Sequence, residues 1–103
     1  MAIAFIQEWP IVDGDTSTTN YDSVAEKLGL SDAASITGLI AHSAGFDHTS
    51  GVFRIFDIWD NGDDAKRFYE ERLGPIVGEM MQDNPSVTPP QREATYELHD
   101  VIN

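Results

Sequence analysis

The stretch of sequence that decides the fold is VFRIFDIWDNGDDAKRF, residues 52–68. Its first half is rich in aromatic and β-branched side chains, which predicts a β-strand. Asn61 then offers a helix N-cap, and Asp63 and Asp64 place negative charge at the positive end of the helix dipole. We therefore expect a strand that passes directly into a helix.

Apolar side chains continue at helical spacing beyond this stretch, which lengthens the predicted helix. Gly74 and Pro75 fall inside the apolar stripe, and Pro75 both removes an amide donor and disfavours helical backbone at Gly74. We expect a kink or a fresh helical turn there. The stripe consists of Ala65, Phe68, Tyr69, Leu73, Ile76, Val77 and Met80.

The N-terminal part of the chain predicts one strand and one helix. Residues 2–9 are β-rich and end at Pro10, and the polar segment that follows has the composition of a loop. Apolar residues then recur at i, i+3, i+4 and i+7 from Tyr21 to Leu28, and Gly29 is placed to end this helix.

The remaining segments predict three more strands. ITGLIAHSAGF (residues 36–46) and GVFRIFDIW (residues 51–59) are β-type runs separated by a polar loop, which predicts an antiparallel hairpin. Residues 83–90 are too rich in proline for a helix and predict an extended connector, and residues 93–102 predict a last strand. The order β-α-β-β-α-β predicts one ferredoxin-like α+β domain over residues 1–103, a four-stranded antiparallel sheet with two helices on one face.

Both faces of this sheet are predicted to be apolar, although two helices can cover one face only. In the predicted third strand Phe53 and Ile55 point to one side, whereas Phe56 and Ile58 point to the other. An uncovered apolar face is unfavourable in water, so we predict a homodimer that pairs these faces. The alternative is that loops and the C-terminal tail cover the second face. Arg54 points to that face and is expected at the dimer interface or beside a carboxylate.

Charge and composition exclude several classes of function. The chain has 18 acidic and 6 basic side chains and a formal net charge of −12. This charge repels phosphate backbones and anionic lipid, so we expect neither nucleic acid nor a membrane as a partner. The absence of cysteine excludes disulfides and a thiol nucleophile. The N-terminus lacks a basic leader and is interrupted by Glu8, so we expect a cytoplasmic protein.

Asp57 requires an explanation because it interrupts the most apolar strand. A carboxylate in a dry site has its charged form disfavoured and can serve as a general base. Alternatively Asp57 accepts hydrogen bonds from loop amides or a basic side chain, as buried acids usually do. His42 lies on the neighbouring predicted strand, so the two side chains form a catalytic acid/base pair if they share a face. Otherwise His42 is a histidine of the core or of the interface.

A ligand site is predicted between the sheet and the helices. Gln7, Trp59 and Phe68 are our candidates for polar and aromatic contacts with a small hydrophobic ligand, and the alternative is that the aromatic residues are plain core. Two histidines and Asp57 have the composition of a facial metal triad, but no ligand spacing in the sequence indicates one. We therefore expect neither a metal ion nor another cofactor.

Three segments, GLIAHSAG, VFRIFDIWDNGDDAKRFYEERLGPIV and ELHDVI, resemble the antibiotic biosynthesis monooxygenase-like proteins, in particular their uncharacterised actinobacterial members. The resemblance covers nearly the whole chain. Its most specific part is the passage from the strand end at Trp59 through a polar cap to Ala65 and Phe68. It implies a dimeric α+β barrel with an apolar cavity, and cofactor-independent oxygenation of polycyclic phenols as one activity of the family.

The same resemblance separates this chain from the haem-degrading relatives. Those proteins carry an Asn on strand one, and a Trp and a haem-ligating His on helix two. The corresponding positions here are Ile6 or Gln7, Phe68 and Gly78. Haem ligation of that type is therefore not expected.

Two functions remain open on this basis. The first is a homodimeric enzyme that binds a small apolar or aromatic molecule, of the type of a cofactor-independent monooxygenase of secondary metabolism, with His42 and Asp57 as catalytic residues. The second is a non-catalytic homodimer for ligand binding or stress response. The enzyme requires a cavity with a polar group aimed into it, whereas the second function predicts that these side chains are packed or paired.

Overall fold

The computed structural model describes most of the chain. The described residues are 1–12, 14, 16–29, 36–83 and 89–101. Most of the predicted connector over residues 83–90 lies outside them. None of the helices in this part of the chain is long and apolar enough to cross a membrane.

Within the described residues the sheet has four antiparallel strands in the order β2-β3-β1-β4. A helix follows β1 and another helical segment follows β3. This is the split βαβ arrangement, so the predicted ferredoxin-like α+β fold is confirmed. The strands are β1 (Ile3–Pro10), β2 (Leu39–Asp47), β3 (Val52–Trp59) and β4 (Arg92–Glu97).

Both predicted helices form, and their ends are set by the predicted residues. Helix α1 (Thr19–Leu28) ends at Gly29, whose φ of 71° is the left-handed conformation that glycine adopts without steric cost. Helix α2 (Gly62–Phe68) begins after Asn61, whose side-chain oxygen accepts a hydrogen bond from the N–H of Asp64 at 2.8 Å.

The predicted irregularity at Gly74 and Pro75 is a π-helical turn. This turn, Tyr69–Leu73, follows α2 without a break and leads into α3 (Gly74–Asp83). The N–H of Gly74 donates to the carbonyl of Tyr69, and a Cβ at Gly74 would lie 3.0 Å from that oxygen. Pro75 has no N–H with which to continue an ordinary helical ladder. The π turn adds a residue to the turn that carries Tyr69, and so helps to set the direction of its side chain.

The hairpin of β2 and β3 contains a β-bulge near the start of β2. Leu39 pairs with Trp59, but three residues later His42 pairs with Asp57, two residues back along β3. The extra residue reverses which side chains of β2 face the helices. Because of it, His42 and Asp57 lie directly opposite each other on the helix-facing side of the sheet.

The core lies between this side of the sheet and the helices. Trp59 is at its centre with 0% of its surface exposed. Odd-numbered residues of β3 therefore face the helices, in agreement with the predicted alternation. The buried cluster consists of Leu28, Ile36, Leu39, Trp59, Ala65 and Phe68.

The opposite side of the sheet, called here the open face, carries apolar side chains that neither helix contacts. Register places on it the even-numbered residues of β1 and β3 and their neighbours on β4. Those of β1 and β3 are buried or partly buried, whereas Tyr96 is 46% exposed. The apolar residues of the open face include Ala4, Ile6, Phe56, Ile58, Ala94 and Tyr96.

A buried carboxylate, Glu8, lies at one end of the open face with 6% exposure. Arg54 Nη2 lies 2.6 Å from its Oε2 atom, and Arg92 Nη1 lies 3.2 Å from its Oε1 atom. Arg54 also contacts Asp47 at 3.1 Å. The hydrogen bond from Arg54, and then that from Arg92, lowers the pKa of Glu8. Arg54 therefore pairs with a carboxylate on the open face, which is one of the two positions expected from its place in the alternation of β3.

Strand β4 is shorter than predicted, since it ends at Glu97 rather than near residue 102. Its partner β1 begins at Ile3, and the N–H of Leu98 donates to the carbonyl of Ala2 at 2.9 Å. Beyond that point β1 has almost no backbone left to pair with. His99 therefore lies past the strand and is exposed.

Candidate active site

A cavity of about 210 Å³ lies between the helix-facing side of the sheet and the helices. Its wall is mainly aromatic and aliphatic, and the described residues that line it include no lysine or arginine. A concave apolar site with a few convergent polar groups is typical of small-molecule binding. The polar residues of the lining are Gln7, Ser17, Asn20, Tyr21, His42, Asp57 and Tyr69.

The structure brings all the sequence-predicted site residues to this one cavity. The two candidate catalytic residues come from β2 and β3, and the candidate ligand contacts come from β1, β3 and α2. The lining includes Gln7, His42, Asp57, Trp59 and Phe68.

Asp57 is 4% exposed, and both of its carboxylate oxygens are occupied by side-chain partners. His42 Nδ1 lies 2.5 Å from Oδ1, and the hydroxyl group of Tyr69 donates to Oδ2 at 2.7 Å. Tyr69 identifies Asp57 as a hydrogen-bond acceptor at Oδ2, and an ionised carboxylate can only accept, so the ionised form places the proton of the Asp57–His42 contact on Nδ1. The carboxylate therefore fixes the tautomer of the imidazole ring.

The other ring nitrogen of His42 is turned toward α1. In the neutral imidazole with Nδ1 protonated, Nε2 carries a lone pair, and the hydroxyl group of Tyr21 lies 2.6 Å from it in a position to donate a hydrogen bond. The two rings are parallel, with centroids 6.2 Å apart and an interplanar angle of 2°. The rings of Tyr21 and Phe53 pack edge to face, with their centroids 5.3 Å apart. The chemically useful lone pair of the imidazole is thus capped by a phenol.

Tyr69 extends the chain of hydrogen bonds to the core. Its hydroxyl oxygen accepts from Trp59 Nε1 at 2.8 Å while its proton goes to Asp57. Burial, and then the charge of Asp57, raises the pKa of Tyr69 far above its usual value. Burial followed by the charges of Asp57 and Asp22 also raises the pKa of Tyr21. Both phenols therefore keep their protons at neutral pH and act as donors.

Gln7 is held in place by its own sheet. Its Oε1 atom accepts from Trp9 Nε1 at 3.0 Å, and its Nε2 atom donates to Glu93 at 2.9 Å. The side-chain amide nitrogen of Gln7 carries two protons, and one of them forms the hydrogen bond to Glu93. Gln7 is thus a fixed polar point on the β1 side of the cavity.

Phe68 packs in the core as well as lining the cavity. Its ring centroid lies 5.3 Å from that of Trp59, and the guanidinium carbon of Arg72 lies 5.4 Å from the ring. Phe68 and Trp59 therefore both belong to the core and both form part of the cavity wall.

The histidines do not gather around Asp57 as a metal triad would require. His48 lies in the hairpin turn, where its ring faces Phe46 at 6.1 Å, and His99 is exposed beyond β4. In the part of the chain that the structure describes, no group of three or more His, Asp or Glu side chains is arranged to hold a metal ion.

Tyr21 is the polar residue that the sequence analysis missed. Helical periodicity identifies Tyr21 only as an apolar position of the first helix, and Tyr69 only as part of the apolar stripe of the second. A signal was available, because a buried tyrosine hydroxyl group almost always finds a hydrogen-bond partner. Two tyrosines on helix faces that pack against a strand with an aspartate indicate such partners.

Comparisons with known proteins identify the fold. No protein-family model and no curated protein matches the sequence. SnoaB, a cofactor-independent oxygenase from Streptomyces nogalater, matches with a TM-score of 0.65 and 10% identity, over 98% of this chain and 96% of that chain. A protein from Deinococcus radiodurans, provisionally assigned as an antibiotic biosynthesis monooxygenase, matches with a TM-score of 0.61 and 18% identity, over 100% and 97%.

A further solved structure has no assigned function. NE2512 from Nitrosomonas europaea matches with a TM-score of 0.67 and 19% identity, over 99% of this chain and 93% of that chain. Identities this low are informative about the fold alone. The chain therefore has the α+β fold of the antibiotic biosynthesis monooxygenase-like proteins, as the sequence resemblance implied.

Proposed function

We propose that the chain is a cofactor-independent oxygenase that uses His42 as a general base on a small aromatic substrate. The observation that carries this proposal is the orientation of the imidazole ring. Asp57 holds Nδ1 at 2.5 Å, so Nε2 is directed to the hydroxyl group of Tyr21 at the wall of an apolar cavity. A histidine that is oriented by a carboxylate and placed at hydrogen-bond distance from an O–H group is the usual arrangement for proton abstraction.

The chemistry follows from removing one proton. Nε2 takes the hydroxyl proton of a bound phenol, and Asp57 stabilises the imidazolium ion that forms. The phenolate is electron-rich and can pass electrons to O₂, which acts as the oxidant. With 1-naphthol the balanced reaction consumes one O₂ and yields 1,4-naphthoquinone and water, so one oxygen atom enters the ring and the other leaves as water.

The apolar wall favours this use of the site. Few polar groups compete for the phenolate, and the Coulomb interaction between the phenolate and the imidazolium ion is stronger in such a site than in water. The shared fold with SnoaB, which is described as a cofactor-independent oxygenase, is consistent with the proposal at the level of architecture.

Oxygen uptake tests the proposal directly. The wild-type protein, free of added metal, is incubated in an oxygen-electrode cell with 1-naphthol or with anthrone, the keto tautomer of a three-ring phenol. His42→Gln is expected to lower the rate by about 10²- to 10⁴-fold, since that is the usual contribution of a general base. His48→Gln, an exposed histidine in the hairpin turn, is the matched control and is expected to retain the wild-type rate.

A rate for His42→Gln equal to that of wild type would remove His42 from the reaction. Absence of oxygen uptake with every phenol, combined with stoichiometric binding, would favour the non-catalytic ligand-binding function instead.

We further propose that two copies associate through their open faces. The face is formed by contiguous apolar side chains of three strands, and Tyr96 there is 46% exposed in the single chain. Contiguous apolar surface of this kind marks an interaction site. A two-fold dimer places the same patch on both sides of the interface and buries it in one step.

Sedimentation velocity at micromolar concentration tests the dimer. Phe56→Glu places a charge in the middle of the open face and is expected to convert the dimer to a monomer. Lys66→Glu, at an exposed position of α2, reverses a charge away from that face and is expected to remain dimeric. A wild-type protein that sediments as one subunit would overturn the dimer while leaving the cavity chemistry intact.

A further inference from the structure

The polar groups that line the cavity are almost all engaged by the protein itself. Asp57 accepts at both oxygens, and Tyr69 donates to Asp57 while accepting from Trp59. Gln7 is bonded to Trp9 and Glu93. Nε2 of His42 is a basic group that a ligand hydroxyl can compete for, since it is held at 2.6 Å by the hydroxyl group of Tyr21.

We infer that Tyr21 is an internal stand-in for the substrate, and that the substrate is an uncharged hydroxyarene of one or two rings whose hydroxyl group replaces that of Tyr21 on His42 Nε2. This inference rests on the proposed function of His42, and it adds the substrate class and a specificity-determining residue. Tyr21 is a phenol, with its ring parallel to the imidazole. The protein thus already shows how the site holds a phenol.

The size of the cavity limits the number of rings. Its volume is about 210 Å³. An engineered apolar cavity of about 150 Å³ accepts benzene, whereas pockets for drug-sized ligands begin near about 300 Å³. The cavity lies between these values, which favours a single or fused double ring. A linear three-ring phenol requires the walls to move.

The charge of the lining limits the ligand to a neutral form. The described lining residues supply no cationic side chain to pair with a carboxylate or phosphate group, and Asp57 contributes a buried negative charge. The net charge of −12 also opposes anions. A cationic ligand finds both oxygens of Asp57 already filled. An O–H group on an otherwise apolar molecule is the chemistry that the site accommodates.

The replacement conserves the number of hydrogen bonds at His42. The substrate donates one O–H bond where Tyr21 donated one, so the imidazole loses no partner. We expect Tyr21 to be released by rotation of its own side chain, since its neighbours in the first turn of α1 are exposed to water. Because its pKa is raised, Tyr21 does not readily transfer its proton to His42. The imidazole therefore stays unprotonated at Nε2 until a more acidic hydroxyl group binds.

Calorimetric titration in oxygen-free buffer tests this replacement without turnover. The probes are 1-naphthol, naphthalene, 1-naphthoate and the three-ring 1-hydroxyanthracene. Tyr21→Phe keeps the ring but removes the competing hydroxyl group, and it is expected to bind 1-naphthol about 2- to 10-fold more tightly than wild type. Ser23→Ala removes an exposed hydroxyl group of α1 that does not line the cavity, and it is expected to bind 1-naphthol with wild-type affinity.

The other probes separate the parts of the inference. Naphthalene is expected to bind more weakly than 1-naphthol and to be unaffected by Tyr21→Phe, since it does not compete for Nε2. The naphthoate anion and the three-ring phenol are expected to bind at least about 10-fold more weakly than 1-naphthol.

Weaker binding of 1-naphthol by Tyr21→Phe would overturn the inference, because it would show that Tyr21 contacts the ligand instead of giving way to it. Preferred binding of 1-naphthoate or 1-hydroxyanthracene would overturn the substrate class. These outcomes are distinct from failure of the proposed function. Oxygen uptake with anthrone but no binding of 1-naphthol would end the inference and leave the base role, whereas wild-type turnover by His42→Gln would end the base role.

Discussion

The two faces of the sheet each bury one carboxylate, and they satisfy it in different ways. On the open face, Glu8 is 6% exposed and pairs with the guanidinium groups of Arg54 and Arg92. On the helix-facing side, Asp57 is 4% exposed and pairs with the imidazole of His42 and the phenol of Tyr69. The burial is similar, but the partners differ in what they can do with a proton.

This difference separates a structural carboxylate from a candidate catalytic one. Arginine stays protonated at all accessible pH values, so the cluster around Glu8 can hold charge but cannot transfer a proton. Imidazole and phenol groups carry exchangeable protons, and a line of them leads from Asp57 to the cavity. A buried acid alone therefore says little about function, whereas the chemistry of its partners says much more.

The largest expected effect is on catalysis, and it distinguishes the two acids. Asp57→Asn is expected to lower the rate of oxygen uptake with 1-naphthol by about 10²- to 10⁴-fold, because His42 loses the carboxylate that sets its tautomer. Glu8→Gln is the matched variant, and it is expected to turn over at the wild-type rate while unfolding at a lower denaturant concentration. Equal losses of activity in both variants would contradict the comparison.

The next effect is on stability, at the hydroxyl group that joins Asp57 to the core. Tyr69→Phe removes a donor from a buried carboxylate and an acceptor from the fully buried Trp59, so we expect the free energy of unfolding to fall by about 2 kcal/mol. Lys66→Arg, at an exposed position of α2 away from the open face, is expected to change it by less than about 0.5 kcal/mol. Urea unfolding followed by tryptophan fluorescence measures both, and a neutral Tyr69→Phe would mean that the hydroxyl group is not needed to hold the core.

The two faces should also lose their contributions to folding stability at opposite ends of the pH scale. The pKa of Glu8 is lowered by Arg54 and Arg92, so its contribution to stability is present above about pH 4 and is lost as pH falls through the folded value. The pKa of Tyr69 is raised, chiefly by burial, so its contribution is present below about pH 10 and is lost as pH rises above it. Urea midpoints across pH should show Glu8→Gln flattening the acid limb alone and Tyr69→Phe the alkaline limb alone.

The smallest expected effect concerns the π turn that positions Tyr69. Gly74 and Gly78 both lie in α3, where alanine normally stabilises a helix by about 0.5–1 kcal/mol relative to glycine. A Cβ at Gly78 meets no atom within 4 Å, but one at Gly74 lies 3.0 Å from the Tyr69 carbonyl. Gly78→Ala is therefore expected to be stabilising and Gly74→Ala not, as judged by thermal unfolding. A gain from Gly74→Ala equal to that from Gly78→Ala would show that the turn tolerates a side chain.

The sequence was sufficient to predict the fold because its local signals agree. Alternation in residues 52–59, the Asn61 cap, and glycine at the end of the first helix all lead to the same topology. The length of β4 was wrong because it depends on where β1 begins, which is a property of the pairing and not of residues 98–102 themselves.

The site was predictable in its residues but not in its contacts. The two residues Leu39 and His42 are three apart, so simple alternation places them on opposite faces, and a bulge that the sequence does not signal puts both toward the helices. The roles of Tyr21 and Tyr69 depend on how each helix is rotated against the sheet. Helical periodicity gives the buried face of a helix but not which atom of a strand it meets.

The most direct test of the account is a nitrogen-15 NMR measurement of the His42 side chain at neutral pH, assigned by comparison with His42→Gln. We predict a protonated Nδ1 beside Asp57 and an unprotonated Nε2, and we expect the Nε2 signal to shift when 1-naphthol is added without oxygen. A proton on Nε2 with Nδ1 bare, or an Nε2 signal that ignores the naphthol, would contradict the claim that this nitrogen is the base of the site.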